Sequence, residues 1–167
     1  IDGCPHAGPS MQVDAEGRLH ITWWSGKTGA AGVFYARSDD KGATFGEPVP
    51  VGVAEFSRPA HVQMVVDSNV VIAWDDGTVQ QPRVMVRVSR DAGATFAPAV
   101  AASAEGTTAT FPVLASAGGK LSLAWAEDAD PPKHDDHAPQ DKTKPKPLPS
   151  VGKKQIVMRT GSITGTE

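Results

Sequence analysis

A tryptophan returns every 51 residues along this 167-residue chain, at Trp23, Trp74 and Trp125. Each closes a similar phrase: RLHITWW, NVVIAWDD and KLSLAWAED. Upstream of each lies a proline heading a short apolar run, in GPSMQV, RPAHVQMVV and FPVLAS. The turns DAEG, DSN and AGG separate run from phrase. Downstream comes a second strand-like phrase, GVFYARS, RVMVRVS or QIVMRT. A period of this length marks a repeat architecture, in which each unit buries its apolar face against its neighbours.

β-Branched and aromatic residues alternate with polar ones in LHITWW, VFYARS and VMVRVS, which predicts strands. Asp, Asn and Gly at the joints supply tight turns. No stretch carries helical periodicity. The unit therefore reads as four short strands, the first set at 9–13, 18–24, 32–38 and 45–51 and the next shifted by 51, while the third shows no Asp box and no clear fourth strand. The fourth strand contains prolines and belongs at an outer edge, where a missing N–H leaves no ladder bond unmade. The units divide at 1–54, 55–105 and 106–167. Four-stranded units at this spacing predict an all-β chain forming part of a β-propeller, about three blades of it.

Two stretches in register are closer still. SDDKGATF covers Ser38–Phe45, and SRDAGATF covers Ser89–Phe96. Both match the Asp-box pattern, Ser-x-Asp-x-Gly-x-Thr-Phe/Trp, and the chain resembles the sialidase-like (BNR-repeat) β-propellers. The resemblance extends over nearly the whole chain, because the 51-residue period does. It implies a ring of about six blades, with the Asp box as the hairpin between third and fourth strands. On that reading Ser38, Asp40, Ser89 and Asp91 tie down turn N–H groups. Gly42 and Gly93 permit positive φ. Thr44 and Thr95 return side-chain bonds, and Phe45 and Phe96 plug the space between sheets. The boxes are architecture.

Strand direction alternates, so the Asp boxes mark one end of the blades and the longer connections lie at the other. In the resembled family the active site lies at that loop-rich end. Its candidates here are Arg58, Asp75, Asp76 and the run His134, Asp135, Asp136, His137. Arg58 stands in SRPAH, similar to the Arg-x-Pro phrase whose guanidinium pairs with a sialic acid carboxylate in sialidases. Here no residue separates Arg from Pro, and the matching positions in the other units are Gly8 and Phe111, so no arginine triad repeats. The only tyrosine, Tyr35, falls in a third strand beside an Asp box, away from any Tyr/Glu nucleophile pair. No catalytic residue is assigned; Arg58 is the one weak candidate.

The third unit carries about 21 extra residues, judged from the register of Val33, Val84 and Ile156. The insert, about 130–154, is rich in Pro, Lys and Asp and too polar to bury itself. A docking loop for another protein is the favoured functional reading of it, with His134 and His137 as weak metal candidates. No cofactor is expected. The formal net charge of -3 argues against nucleic acid as a partner. No apolar run approaches the ~20 residues of a membrane span. Cys4, the single cysteine, reads as the partner of a cysteine outside this sequence, since the resembled family is largely exported. Trp23, being repeated, is expected in the core, and Trp24, which is not, at the surface.

These readings lead to an extracytoplasmic (periplasmic, cell-surface or secreted) propeller acting as a non-catalytic scaffold for recognition or assembly. One alternative is an exo-sialidase-class glycoside hydrolase with part of its site in this segment. Another is an accessory subunit of a membrane complex. The expected partners are a protein, or an upstream half of the same propeller pairing with the strand at 156–160, with a glycan as a further possibility.

Overall fold

The computed structural model describes residues 8–53, 60–76, 81–128 and 154–163. The described residues form eleven strands and no helix. β1 (Ser10–Val13), β2 (Leu19–Ser25), β3 (Gly32–Ser38) and β4 (Val49–Gly52) make the first sheet, in that order. β5 (Val62–Val66), β6 (Val70–Asp76), β7 (Arg83–Ser89) and β8 (Val100–Ala101) make the second. β9 (Thr108–Ala117), β10 (Lys120–Asp128) and β11 (Lys154–Gly161) make the third. All neighbouring strands are antiparallel. The chain is all-β and folds as part of a β-propeller.

The register repeats with the sequence. Trp24, Asp75 and Ala126 lie opposite Val33, Val84 and Ile156. The fourth strands are shorter than their prolines and apolar residues suggest. Each Asp-box turn runs on to an extra bond, Gly46 N–H to the Arg37 carbonyl and Ala97 N–H to that of Val88, both 2.9 Å. Pro48 and Pro98 follow, with no N–H to donate, and pairing resumes only beyond them.

The sheets stack in chain order, with β5 against β1 and β2 on one side and against β9 on the other. Val33, Tyr35 and Val51 of the first sheet pack on Val62, Met64, Ile72 and Trp74 of the second. Val71, Ala73, Val84 and Val86 of the second pack on Leu114, Leu123 and Trp125 of the third. The second sheet is thus covered on both faces, which explains why VVIAWD in β6 is buried throughout and shows no alternation. Each fully buried Val, Leu or Ile in these layers contributes roughly 1.5–3 kcal/mol.

The outer faces differ. Trp74 faces the first sheet and Trp125 the second, so Trp23 faces away from both, half-buried and stacked on Phe34 with centroids 5.9 Å apart. Trp23 is therefore not a core residue among the described sheets. Trp24, expected at the surface, points the other way and packs against the core between the first two sheets. Phe45, expected as a buried plug, is 45% exposed. The reason lies in its counterpart: Phe96 packs edge-on against Tyr35 of the preceding sheet, centroids 5.0 Å apart. No described sheet precedes the first, so Phe45 has nothing to plug.

Candidate functional site

The two ends of the sheets use carboxylates in opposite ways. At the Asp-box end, Asp40 accepts from Ser38 Oγ (2.8 Å), Thr44 N–H (2.8 Å) and Thr44 Oγ1 (2.6 Å), while Ser38 Oγ accepts from Gly42 N–H (2.7 Å). Asp91 repeats the pattern with Ser89 (2.7 Å), Thr95 N–H (2.8 Å) and Thr95 Oγ1 (2.5 Å). The threonine hydroxyl, then its N–H, then the serine hydroxyl hold each carboxyl down at about 2. Two successive residues take positive φ in each turn: Lys41 (61°) and Gly42 (91°), then Ala92 (55°) and Gly93 (85°), as in primed hairpin turns. These carboxylates are fully engaged in holding their own turns.

A buried relay lies beneath the second turn. Asp14 Oδ2 sits 3.0 Å from His20 Nε2, and His20 Nδ1 sits 2.7 Å from the Tyr35 hydroxyl. Arg37 donates to the Ala92 carbonyl at 2.8 Å, and the Tyr35 hydroxyl lies 3.5 Å from the same oxygen. His20 and Tyr35 are almost wholly buried. Burial pushes the Tyr35 phenol up to about 12. Burial would raise the Asp14 carboxyl too, but bonds from His20 and Arg18 outweigh it and hold the group well below the usual carboxylate range. The relay bolts the second sheet's Asp box to the first sheet.

At the opposite end of the sheets the repeat breaks. Asp75 follows the second repeated tryptophan, where Trp24 and Ala126 stand in the other units. Its side chain is 1% exposed. One oxygen accepts the His61 N–H (2.7 Å). The other accepts from His61 Nδ1 (2.8 Å) and from the Phe111 N–H on the third sheet (3.2 Å). The carboxylate thus fixes the imidazole with its proton on Nδ1. Nε2 has no hydrogen-bond partner among the described residues, and the side chain is 24% exposed. The Phe111 ring lies against that of His61, centroids 4.3 Å apart.

Phe111 has φ +58°, unfavourable for a bulky side chain, and stands before Pro112, whose ring restricts it further. β9 bulges at this point, its register with β10 shifting between Ala124 and Ala126. Asp76 follows at the end of β6, half-buried. Arg58, Cys4 and His134, Asp135, Asp136 and His137 lie outside the described residues. Among the described residues no group of three or more His, Cys, Asp or Glu side chains is placed to hold a metal ion. Glu127, the other carboxylate buried toward this end, takes the Trp125 indole N–H (3.0 Å). Neither His61 nor Phe111 stands out as a functional residue in the sequence. The signal that could have found them is the interruption of the repeat at Asp75, which lies across from His61 just before β5.

The fold is shared with solved glycosidase structures. An α-L-arabinanase of Penicillium chrysogenum, complexed with arabinobiose, aligns over 74% of this chain and 41% of its own length, at TM-score 0.54 and 18% identity. An α-L-arabinofuranosidase of Fusarium graminearum, complexed with an iminosugar inhibitor, aligns over 93% and 45%, at TM-score 0.57 and 15% identity. A Dyadobacter fermentans protein of unknown function aligns over 71% and 43%, at TM-score 0.52 and 15% identity. The chain therefore spans under half the length of these structures. No family model and no curated protein matches it. Among the described residues no helix is long and apolar enough to cross a membrane.

Proposed function

We propose that this chain forms part of an exported, sialidase-like propeller that recognises a glycan at its loop-rich end without itself hydrolysing it. The observation that carries this reading is the Asp75–His61–Phe111 group. It is a non-repeated set of side chains at the end of the sheets opposite the Asp boxes, joined by the Asp75 carboxylate. Its carboxylate is committed to two backbone N–H groups and an imidazole. Glycoside hydrolysis calls for two carboxyl groups about 5–10 Å apart, one on each side of the bond to be cut. Asp75 and Glu127 both serve structural bonds instead.

The test is titration of the purified chain with arabino-oligosaccharides and sialosides, with products followed by chromatography. Saturable binding with no cleavage is expected. A second reading, that the chain carries part of a glycoside hydrolase site, draws support from its likeness to the arabinanase and arabinofuranosidase structures. Release of arabinose or sialic acid by the chain would favour that reading and sink the first.

A further inference from the structure

We propose that Phe111 and His61 together form a platform for one sugar ring, with the ring's C–H face on Phe111 and a ring hydroxyl donating to His61 Nε2. The proposal rests on the reading that this end of the sheets takes a glycan.

Phe111 is an anomaly in its own sheet. A left-handed φ of +58° opposes a large side chain, and glycine would adopt it freely. Strain of this kind persists where the surroundings enforce it. Here the enforcing group is Asp75, which accepts the Phe111 N–H at 3.2 Å from the neighbouring sheet. Core packing does not account for the aromatic side chain, because Phe111 is 56% exposed. The strained backbone instead carries an aromatic ring into solvent beside an imidazole.

The imidazole is equally determined. A carboxylate only accepts, so Nδ1 of His61 donates to it, and in the neutral imidazole Nε2 then presents a lone pair. The platform therefore offers one flat apolar surface and one directed acceptor a single ring apart. A sugar carries the complementary pair: an apolar C–H face and hydroxyl donors at fixed spacing around it. The trio also departs from the repeat, which separates it from residues that serve every blade alike.

Calorimetric titration of the chain with arabinotriose, xylotriose, cellotriose and sialyllactose tests the proposal, using the variants Phe111→Gly, Phe111→Trp and His61→Ala. Phe111→Gly should melt no lower than the parent, because glycine suits the backbone, yet lose about tenfold or more in affinity for whichever sugar the parent binds. Phe111→Trp should retain binding, and His61→Ala should lose it. Phe111→Gly binding as tightly as the parent would overturn the platform while leaving glycan recognition standing. So would loss of binding in Phe111→Trp as well as Phe111→Gly, since an aromatic surface would then not suffice. A parent that binds none of the four sugars would sink the glycan reading itself. Binding of tetramethylammonium in place of the sugars would overturn the ligand class.

Discussion

Gly42 and Gly93 occupy the same place in the two Asp boxes, with φ +91° and +85°, yet replacing them with alanine should have unequal consequences. Both changes put a Cβ on a left-handed residue, which costs roughly 1–2 kcal/mol. At Gly42 that is the whole effect, because the nearest atom to a new Cβ is Leu19 Cδ2 at 3.8 Å. At Gly93 the Cβ would fall 1.8 Å from the Tyr35 hydroxyl and 2.4 Å from the ring carbon bearing it. The phenol must move, and its 2.7 Å bond to buried His20 goes with it. An unsatisfied buried partner costs about 1–3 kcal/mol more. Gly93→Ala should therefore lose about 2–5 kcal/mol and Gly42→Ala about 1–2 kcal/mol. Urea unfolding followed by tryptophan fluorescence measures both. In a Tyr35→Phe background the Gly93→Ala cost should shrink, because the bond is already absent, though the ring-carbon contact remains. Equal losses at the two glycines, to within about 0.5 kcal/mol, would refute the claim that the second box is bolted to Tyr35.

Stability should fall as pH drops from about 4 to 2. Asp40 and Asp91 titrate near 2 in the fold against an ordinary 3.8, so their contribution is complete above the higher value and lost as pH falls through the lower. Asp14 is lowered as well and reinforces the trend; Asp40→Asn with Asp91→Asn should flatten an acid-unfolding curve read by circular dichroism. Asp75→Ala should cost about 2–6 kcal/mol, since it strands the His61 and Phe111 N–H groups, and a thermal shift near zero would contradict the bridging role. Ile156 and Met158 are 76% and 68% exposed on one outer face, and Met11 and Val13 are 57% and 58% exposed on the other. Concentration-dependent self-association is expected in light scattering, and Ile156→Lys with Met158→Lys should suppress it; a parent monodisperse at high concentration would contradict this.

The strands were legible because two signals agree at every joint. The 51-residue period fixes β2, β6 and β10, and turn residues fix what lies between them. The insert before β11 left the register intact, so Ile156 could be aligned with Val33 and Val84 from sequence alone. The Asp-box side chains were equally readable, because Ser38, Asp40 and Thr44 bond within four residues of one another. Facing was harder. Which way Trp23 and Trp24 point depends on which sheet lies beside them, and a single unit's alternation does not say. The loop-rich site was the least legible: Asp75 could be named as a candidate, but its bonds join residues 14 and 36 positions away. Proximity of that kind arises only once sheets are stacked.

That contrast in range bears on function. Asp40 and Asp91 hold their own turns, through bonds that reach no more than four residues along the chain. Asp75 does the reverse. It ties the residue that leads into β5 of its own sheet to β9 of the next, through His61 N–H at 2.7 Å and Phe111 N–H at 3.2 Å. Any slip between the second and third sheets would break one of these bonds and leave a buried charge poorly satisfied, a cost of several kcal/mol. The spacing of His61 and Phe111 is thus fixed by a carboxylate neither side chain could replace. On the proposed reading, a ligand meeting these two rings finds their backbones already held by one carboxylate, which lowers the entropic cost of binding. Repetition builds the blades, and a single unrepeated aspartate gives one junction between them a preorganised surface.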